Sequence, residues 1–447
     1  MVSRRGFVKV GAASVASLAL RPFGLLPALA QSGSSDYRAL VCVFLFGGND
    51  SNNMILPVDD TNYKQYSSVR GSLALSSSEL TPTVYAASNN APYAFHSDLP
   101  DLASLFSNKE LAIVANVGSL VQPTTRAQYL SQAAPVPLNL FSHSDQQLQW
   151  QTSIPSGHSP TGWAGRAADL VAGQNLSSFP TFLSVAGNSL MGTGATTQPV
   201  ALSPGQTLDL RGFGTDAGSI ARRNALQNLL TLETGLKLAQ ASNQVMSDSI
   251  ADAKALDSAL GKVSPLKTTF PKTSLGAQLQ QVAQIIQARD GLGMRRQIFF
   301  ASLGGFDTHT GELETHHVLY PQLSQALAAF NTALGELGVE NQVTTFTESD
   351  FSRTFQPTTG DGSDHAWGSH HLVMGGAVKG GDIYGRFPTF VLGGPDDADT
   401  RGRWIPTTAI DQYGATLCSW FGVQIADLPK VFPNFANFGS QTLGFLG

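Results

Sequence analysis

Cysteine is nearly absent, with only Cys42 and Cys418 in 447 residues, so disulfides do not build this fold. Charge is scarce too: Asp, Glu, Lys and Arg make up 13% of the chain, and 27 basic residues face 32 acidic ones. That balance gives no electrostatic footing for nucleic acid or for an anionic membrane surface. No glycine fingerprint for a dinucleotide and no P-loop is present, and the Gly-x-Ser-x-Gly elbow of an α/β-hydrolase esterase is missing. Long hydrophobic runs are lacking as well. The apolar stretch near the N-terminus is broken by Arg21-Pro22 and falls short of the ~20 residues that a membrane span requires.

What the N-terminus does carry is a pattern. Ser3-Arg4-Arg5-Gly6-Phe7-Val8-Lys9 precedes the apolar stretch, and Ala28-Leu29-Ala30 supplies small residues just before Gln31. This resembles a cleaved twin-arginine export signal over residues 1–30. The expectation is a periplasmic or secreted protein, handed folded to the Tat translocase with any metal already acquired. Removing the signal takes Arg4, Arg5, Lys9 and Arg21 from the 27 basic residues and none of the 32 acids, leaving a formal charge of −9. No later segment is long and apolar enough for a bilayer, so no membrane span is expected in the mature form.

Short apolar runs recur at 39–46, 111–117, 182–185, 297–303, 343–347 and 389–392. They have strand length and no polar alternation, as strands buried on both faces do. Helical spacing falls between them, over 98–106, 226–260, 275–288 and 319–337. Strands alternating with helices predict an α/β fold, a mostly parallel central sheet sandwiched by helices. The stretch 187–225 is rich in Gly, Thr and Ser. Together with the helical region up to about 262, it reads as a cap inserted into a single domain spanning 31–447. Cys42 lies inside a buried run and is expected as an inert thiol, with a bridge to Cys418 left open.

In open α/β sheets, ligands gather outside the carboxyl ends of the strands. The polar residues that follow each run are therefore the candidates. Run 39–46 leads into Gly47-Gly48-Asn49-Asp50, where Asp50 is either a hard-cation ligand or the acceptor of its own Asx turn. Run 297–303 leads into Gly304-Gly305-Phe306-Asp307-Thr308-His309. A carboxylate and an imidazole two residues apart share one side of an extended backbone and suit zinc, manganese or iron. Run 343–347 leads to Asp350 and Arg353, and then to Asp364-His365 and His370-His371, which hold three of the nine histidines. That density points to a metal site. Phe141-Ser142-His143-Ser144-Asp145 places two hydroxyls near a helix start. Ser142, or Ser144, is a nucleophile at the positive end of the helix or an N-cap. His96 reads as a cap of the helix after it, and His316 and His317 as part of a solvated helix start.

Taken in order, these pieces resemble a family of Tat-exported bacterial proteins catalogued as a domain of unknown function within the alkaline phosphatase-like superfamily. The resemblance rests on Phe46-Gly47-Gly48-Asn49-Asp50, His96, Ser142-His143 and Gly162-Trp163-Ala164-Gly165-Arg166. It continues through Gly304-Gly305-Phe306-Asp307-Thr308-His309, Asp350-Phe351-Ser352-Arg353-Thr354, Asp364-His365, Met374-Gly375-Gly376 and Gly385-Arg386-Phe387-Pro388. It implies an exported, metal-dependent hydrolase of phosphate or sulfate esters. The metals implied are divalent (zinc, manganese or calcium), and the substrate is a hydrophilic anionic small molecule or a surface polymer. By resemblance Asp50 would bind one metal beside a nucleophile at Ser142, and Asp307 and His309 the other. Asp350, Asp364, His365 and His371 (or His370) would complete the shells, while Arg353 or Arg126 would neutralise the anion. The chain departs from the superfamily in three ways. Asp307 and His309 stand closer together than usual, Phe351 follows Asp350 where many relatives have His, and neither cysteine has the context of a formylglycine sulfatase. The alternative is a non-catalytic periplasmic binding or cell-envelope assembly protein that keeps the fold.

Overall fold

The computed structural model describes residues 36–205, 213–232, 235–439 and 441–447; the export signal expected over residues 1–30 lies outside them. Everything below concerns the unit Arg38–Gly447. Its described strands are β1 (Arg38–Phe46), β2 (Ile55–Pro57), β3 (Leu80–Tyr85), β4 (Pro92–His96), β5 (Leu111–Gly118) and β6 (Phe182–Ser184). They continue with β7 (Val200–Ala201), β8 (Arg296–Gly304), β9 (Val343–Ser349), β10 (Ser369–Met374), β11 (Ile383–Gly385) and β12 (Thr408–Ala409).

β1 is the axis. It is apolar on both faces, and residues 39–45 are at most 1% exposed. Such a strand is stable only in the middle of a covered sheet, and β1 runs parallel between β8 and β9, with Cys42 level with Phe300 and Phe346. The main sheet has the order β11-β5-β10-β9-β1-β8-β6-β7, with β12 also on β5. β10 is antiparallel to both of its neighbours, and the other pairings are parallel. Because β10 opposes both β5 and β9, the strands β5, β9, β1 and β8 point the same way. Their carboxyl ends form one rim. β2, β4 and β3 make a small antiparallel sheet.

Helices His143–Thr152, Trp163–Val171 and Ile410–Phe421 contribute Trp150, Trp163 and Tyr413 to one apolar cluster with Leu40, Cys42, Phe44 and Phe346. Truncating Phe44 to Ala in this core would cost about 3–5 kcal/mol. Helix Ser274–Gln287 packs on β8 and on the long helix Glu312–Glu336. Both cysteines are free and buried, and burial pushes both thiols up, which keeps them protonated and inert.

The sheet is mixed and mostly parallel, and the first five expected runs lie on β1, β5, β6, β8 and β9. The sixth run, 389–392, is not a strand. Thr389 donates from both its N and its Oγ1 to Asp396 Oδ2 at 2.8 Å, and Val391 N turns back onto Thr389 O at 2.7 Å. Conversely, His370 and His371 stand in β10, whose six residues are all buried against β5 and β9. The helical region expected at 226–260 is two helices, Ala217–Leu230 and Lys237–Leu260. The expectation of a solvated start around His316 is corrected as well. The helix begins at Glu312, and that phase turns His316 into the interior, fully buried and stacked on Tyr320 with ring centroids 4.6 Å apart.

Candidate metal centre

Three strands deliver the site to the common rim. After β1 the chain turns at Gly47, whose φ is +111° and whose added Cβ would lie 2.4 Å from the backbone N of Asp307. Only glycine fits there. Its N–H donates to Asp350 Oδ1 at 3.2 Å, so the exits of β1, β8 and β9 are tied at one point. β8 then supplies Asp307 and His309, and β9 supplies Asp350 and Arg353. His365 arrives from the loop ahead of β10, and His143 from the first turn of helix His143–Thr152.

Two triads share His365: one holds His143 and Asp307, the other His309 and Asp364. His143 Nε2 lies 3.0 Å from His365 Nε2 and 3.4 Å from Asp307 Oδ1. His309 Nε2 lies 2.9 Å from His365 Nε2 and 3.1 Å from Asp307 Oδ1, and His365 Nε2 is 3.6 Å from that same oxygen. A tetrahedral shell with bonds of about 2.0–2.2 Å sets its ligands about 3.3–3.6 Å apart. Of the five separations, 3.4 and 3.6 Å have that spacing, and 2.9, 3.0 and 3.1 Å are closer.

The opposite ring nitrogens of two of the three histidines are occupied, as in metal-binding histidines. His143 Nδ1 faces Asp350 Oδ2 at 2.7 Å, and His365 Nδ1 faces the carbonyl oxygen of Phe141 at 2.7 Å. Each acceptor fixes the proton on Nδ1 and aims the Nε2 lone pair inward. His309 Nδ1 is 4.0 Å from Asp364 Oδ1. Phe351, fully buried, stacks on His365 at 4.9 Å and lies 4.7 Å from the His143 ring, which fixes both ring planes.

Electrostatics follow from this crowding. The hydrogen bond to Asp350 holds the His143 imidazolium above its ordinary range despite burial. Burial, followed by the neighbouring imidazoles and Arg353, pushes His365 down. Burial raises Asp307, but Arg353, His143 and His309 outweigh it and leave the carboxyl below its usual range. Burial likewise raises Asp364, and the His365 N–H with Arg403 and Arg401 more than offsets it. Asp307 and His309 are 50% and 46% exposed, so the cluster opens to solvent on one side.

The sequence candidates divide. Asp307, His309, Asp350, Asp364 and His365 come together. Asp50 does not join them. It is fully buried, caps helix Ser51–Met54 and is paired with Arg70, which also holds Glu312 at 3.1 Å. His371 lies inside the sheet against Trp150 and Tyr413, and His370 Nδ1 accepts from Asn116 N at 2.9 Å. Ser142 Oγ caps its helix by accepting from Asp145 N at 3.5 Å and also donates to Asp145 Oδ2 at 2.6 Å, and Ser144 Oγ sits 3.1 Å from Ser142 Oγ. Arg353 is fully buried. Its donors go to Asp307 Oδ1 (2.9 Å), Gly47 O (3.3 Å), and the Oγ (3.3 Å) and O (2.5 Å) of Ser363, so it steadies Asp307. Arg126 lies elsewhere, donating to Asp399 O at 2.9 Å.

Sequence reasoning missed His143 as a donor and Gln147 as its companion, whose Nε2 donates to Asp350 Oδ2 at 2.7 Å. Their signal was the i, i+4 spacing, which puts both on one helix face. A second cluster, His96, Asp98 and His317, joins a buried imidazole to a surface pair. There His96 Nδ1 accepts the Asp98 N–H at 3.1 Å, so its lone pair is spent on the turn before helix Pro100–Ser107; the cap of that helix is Leu99, and the expectation of His96 as its cap is corrected.

The family model described as "Protein of unknown function (DUF1501)" matches residues 37–397. No curated protein matches the sequence. Among solved structures, that of Ps i-CgsB in complex with k-i-k-neocarrahexaose is 11% identical, with a TM-score of 0.37 over 91% of this chain and 77% of that one. The phosphonate monoester hydrolase of Agrobacterium radiobacter is 10% identical at a TM-score of 0.34, covering 87% and 74%. The C-terminal periplasmic domain of EcEptC from Escherichia coli, in complex with Zn, is 11% identical at 0.31, covering 76% and 73%.

Proposed function

The chain belongs to the DUF1501 family of unknown function, and from that premise we propose that it is an exported, metal-dependent hydrolase of phosphate or sulfate esters. The observation that carries this reading is the gathering of His143, His309 and Asp307 around His365 Nε2, at 3.0, 2.9 and 3.6 Å, on a side open to solvent. Three imidazoles and one carboxylate favour zinc over calcium, which prefers an all-oxygen shell. A divalent cation there supplies Lewis acidity to an ester oxygen.

The chain's own residues do the rest. Asp350 and the Phe141 carbonyl hold the Nδ1 protons of His143 and His365, and Arg353 holds Asp307. Asp364, clamped by Arg401 at 2.9 Å and Arg403 at 3.1 Å, supports the outer side of His309 and His365. Ser142 is committed to Asp145, so the attacking oxygen in this reading is solvent-derived. Residues 31–447 act as one catalytic domain with a cap inserted near 187–262, and the twin-arginine leader supports work in the periplasm or outside the cell. No helix among the described residues is long and apolar enough to cross a membrane.

The test pairs metal analysis with ester turnover. Mature protein prepared without chelators should hold near-stoichiometric zinc, manganese or iron and should hydrolyse a nitrophenyl phosphate or sulfate. Asp307→Asn should lower metal content and turnover together. Metal-replete protein inert to both ester classes would sink the hydrolase reading. The second reading, a binding or assembly protein with a structural metal, is favoured by one observation: Ser142 and Arg353 are both saturated within the protein.

A further inference from the structure

On the same rim of the sheet lies a groove of about 1250 Å³. It is built where β5, β11 and β12 end: Leu120 to Gln128 follow β5, Arg386 follows β11, and Gln412 follows β12. Those strands run parallel to one another, and β5 points the same way as β9, β1 and β8. The groove therefore continues the rim that carries the metal centre, in the place where such sheets bind ligands.

Two chains of contact join the groove to the centre. Arg126, on the groove wall, donates to Asp399 O at 2.9 Å. The Asp399 carboxylate holds Arg403 at 3.1 Å, and Arg403 in turn bonds Asp364 Oδ2 at 3.1 Å and His365 O at 2.8 Å. The second chain is apolar. Leu120 and Ile405 line the groove and belong to a small cluster that packs against Phe141 and Phe438. Phe141 is the residue whose carbonyl fixes His365, and it lies under the Arg403 guanidinium at 4.5 Å.

The lining states what the groove would take. Apolar flat surfaces come from Pro123, Pro395, Pro406 and Phe438, and carbonyl or hydroxyl partners from Thr124, Thr407 and Asn437. Two guanidiniums face it. Arg386 is paired with Asp396 at 2.6 Å, whereas Arg126, half-buried, makes one bond among the described residues, from Nη2 to Asp399 O at 2.9 Å. Flat apolar patches fit the C–H faces of sugar rings, and a guanidinium with spare donors fits a sulfate or carboxylate on them.

We infer that this groove is a subsite for an acidic oligosaccharide, holding the unreacted part of a polymeric ester while one ester group reaches the metal centre. The inference rests on the hydrolase reading for the role of the subsite, but its test is binding alone.

Calorimetric titration of the mature, metal-replete protein at low salt with a heparin-derived hexasaccharide should give saturable binding. Arg126→Ala should weaken that binding about tenfold or more, as loss of a charge-assisted hydrogen bond does. Ala127→Glu, on an exposed position of the same wall, should weaken it too, and guards against a folding defect in the first variant. Asp307→Asn should still bind the hexasaccharide. Absence of binding by the wild type, wild-type affinity in both groove variants, or equal affinity for poly-glutamate would each overturn the subsite. Binding without turnover of any ester would instead leave the subsite standing and remove the hydrolase reading.

Discussion

Replacing Asp350 with Asn tests the logic of the centre without removing a donor. The Asp350 carboxylate is fully buried and accepts from three sides: His143 Nδ1 at 2.7 Å, Gln147 Nε2 at 2.7 Å and Gly47 N at 3.2 Å. An amide has the same shape but only one acceptor oxygen. If that oxygen faces His143 and Gln147, the new NH₂ meets the Gly47 N–H. If it faces Gly47, the NH₂ meets two other donors. Either way a buried donor is left unmatched, which costs about 1–3 kcal/mol of stability. The larger consequence is for His143, which loses the anion that fixes its tautomer. Loss of such a partner lowers metal affinity about 10–100-fold, or about 1.4–2.7 kcal/mol. The assay is zinc competition against a chromophoric chelator at fixed pH, with thermal unfolding measured on the same apo samples. Zinc affinity equal to wild type in a folded Asp350→Asn protein would refute the assignment of His143 as a ligand oriented by Asp350.

Four further outcomes are expected. Gly47→Ala combines a φ of +111° with a Cβ 2.4 Å from Asp307 N; it should cost at least about 2 kcal/mol by denaturant titration and weaken zinc retention. Ser142→Ala should lose about 1 kcal/mol of helix capping and keep full metal occupancy by mass spectrometry; metal loss would place its hydroxyl in the centre. Burial pushes Asp411 up to about 7, so between pH 4 and 7 the folded state keeps a proton that the unfolded chain has lost, and stability falls as pH rises. Asp411→Asn abolishes that dependence, and its stability relative to wild type should climb by about 1.4 kcal/mol per pH unit across this window and level off above it; parallel pH profiles would argue against a buried neutral acid. Changing Arg4-Arg5 to a Lys pair should hold the full-length protein in the cytoplasm by cell fractionation, and unaltered export would exclude the twin-arginine route.

The fold was legible in the sequence where the signal was local. A both-sides-apolar strand such as β1 announces burial by composition, and glycines at its end announce the turn that lets Gly47 approach Asp307. The candidate site was legible only as far as the rim rule reaches, which points to Asp307, His309 and Asp350 directly after strands. It misled for Asp50, because a carboxylate after a strand reads the same whether it faces a cation or the buried Arg70, and Arg70 is twenty residues away in sequence. It misled for His370 and His371, because imidazoles in a short β-branched-poor segment do not advertise a strand whose partners are β5 and β9. His143 was hidden for a different reason. Its role is set by a helix whose first turn must be aimed at the ends of β8 and β9, and that aim depends on Trp150 packing into the sheet seven residues later. The candidate site in this fold therefore resides in pairs such as His143 with Asp350 and His365 with Phe141 O, which lie 207 and 224 residues apart along the chain. One sequence discloses the members of such pairs; only the packed structure discloses which nitrogen each partner leaves free to bind.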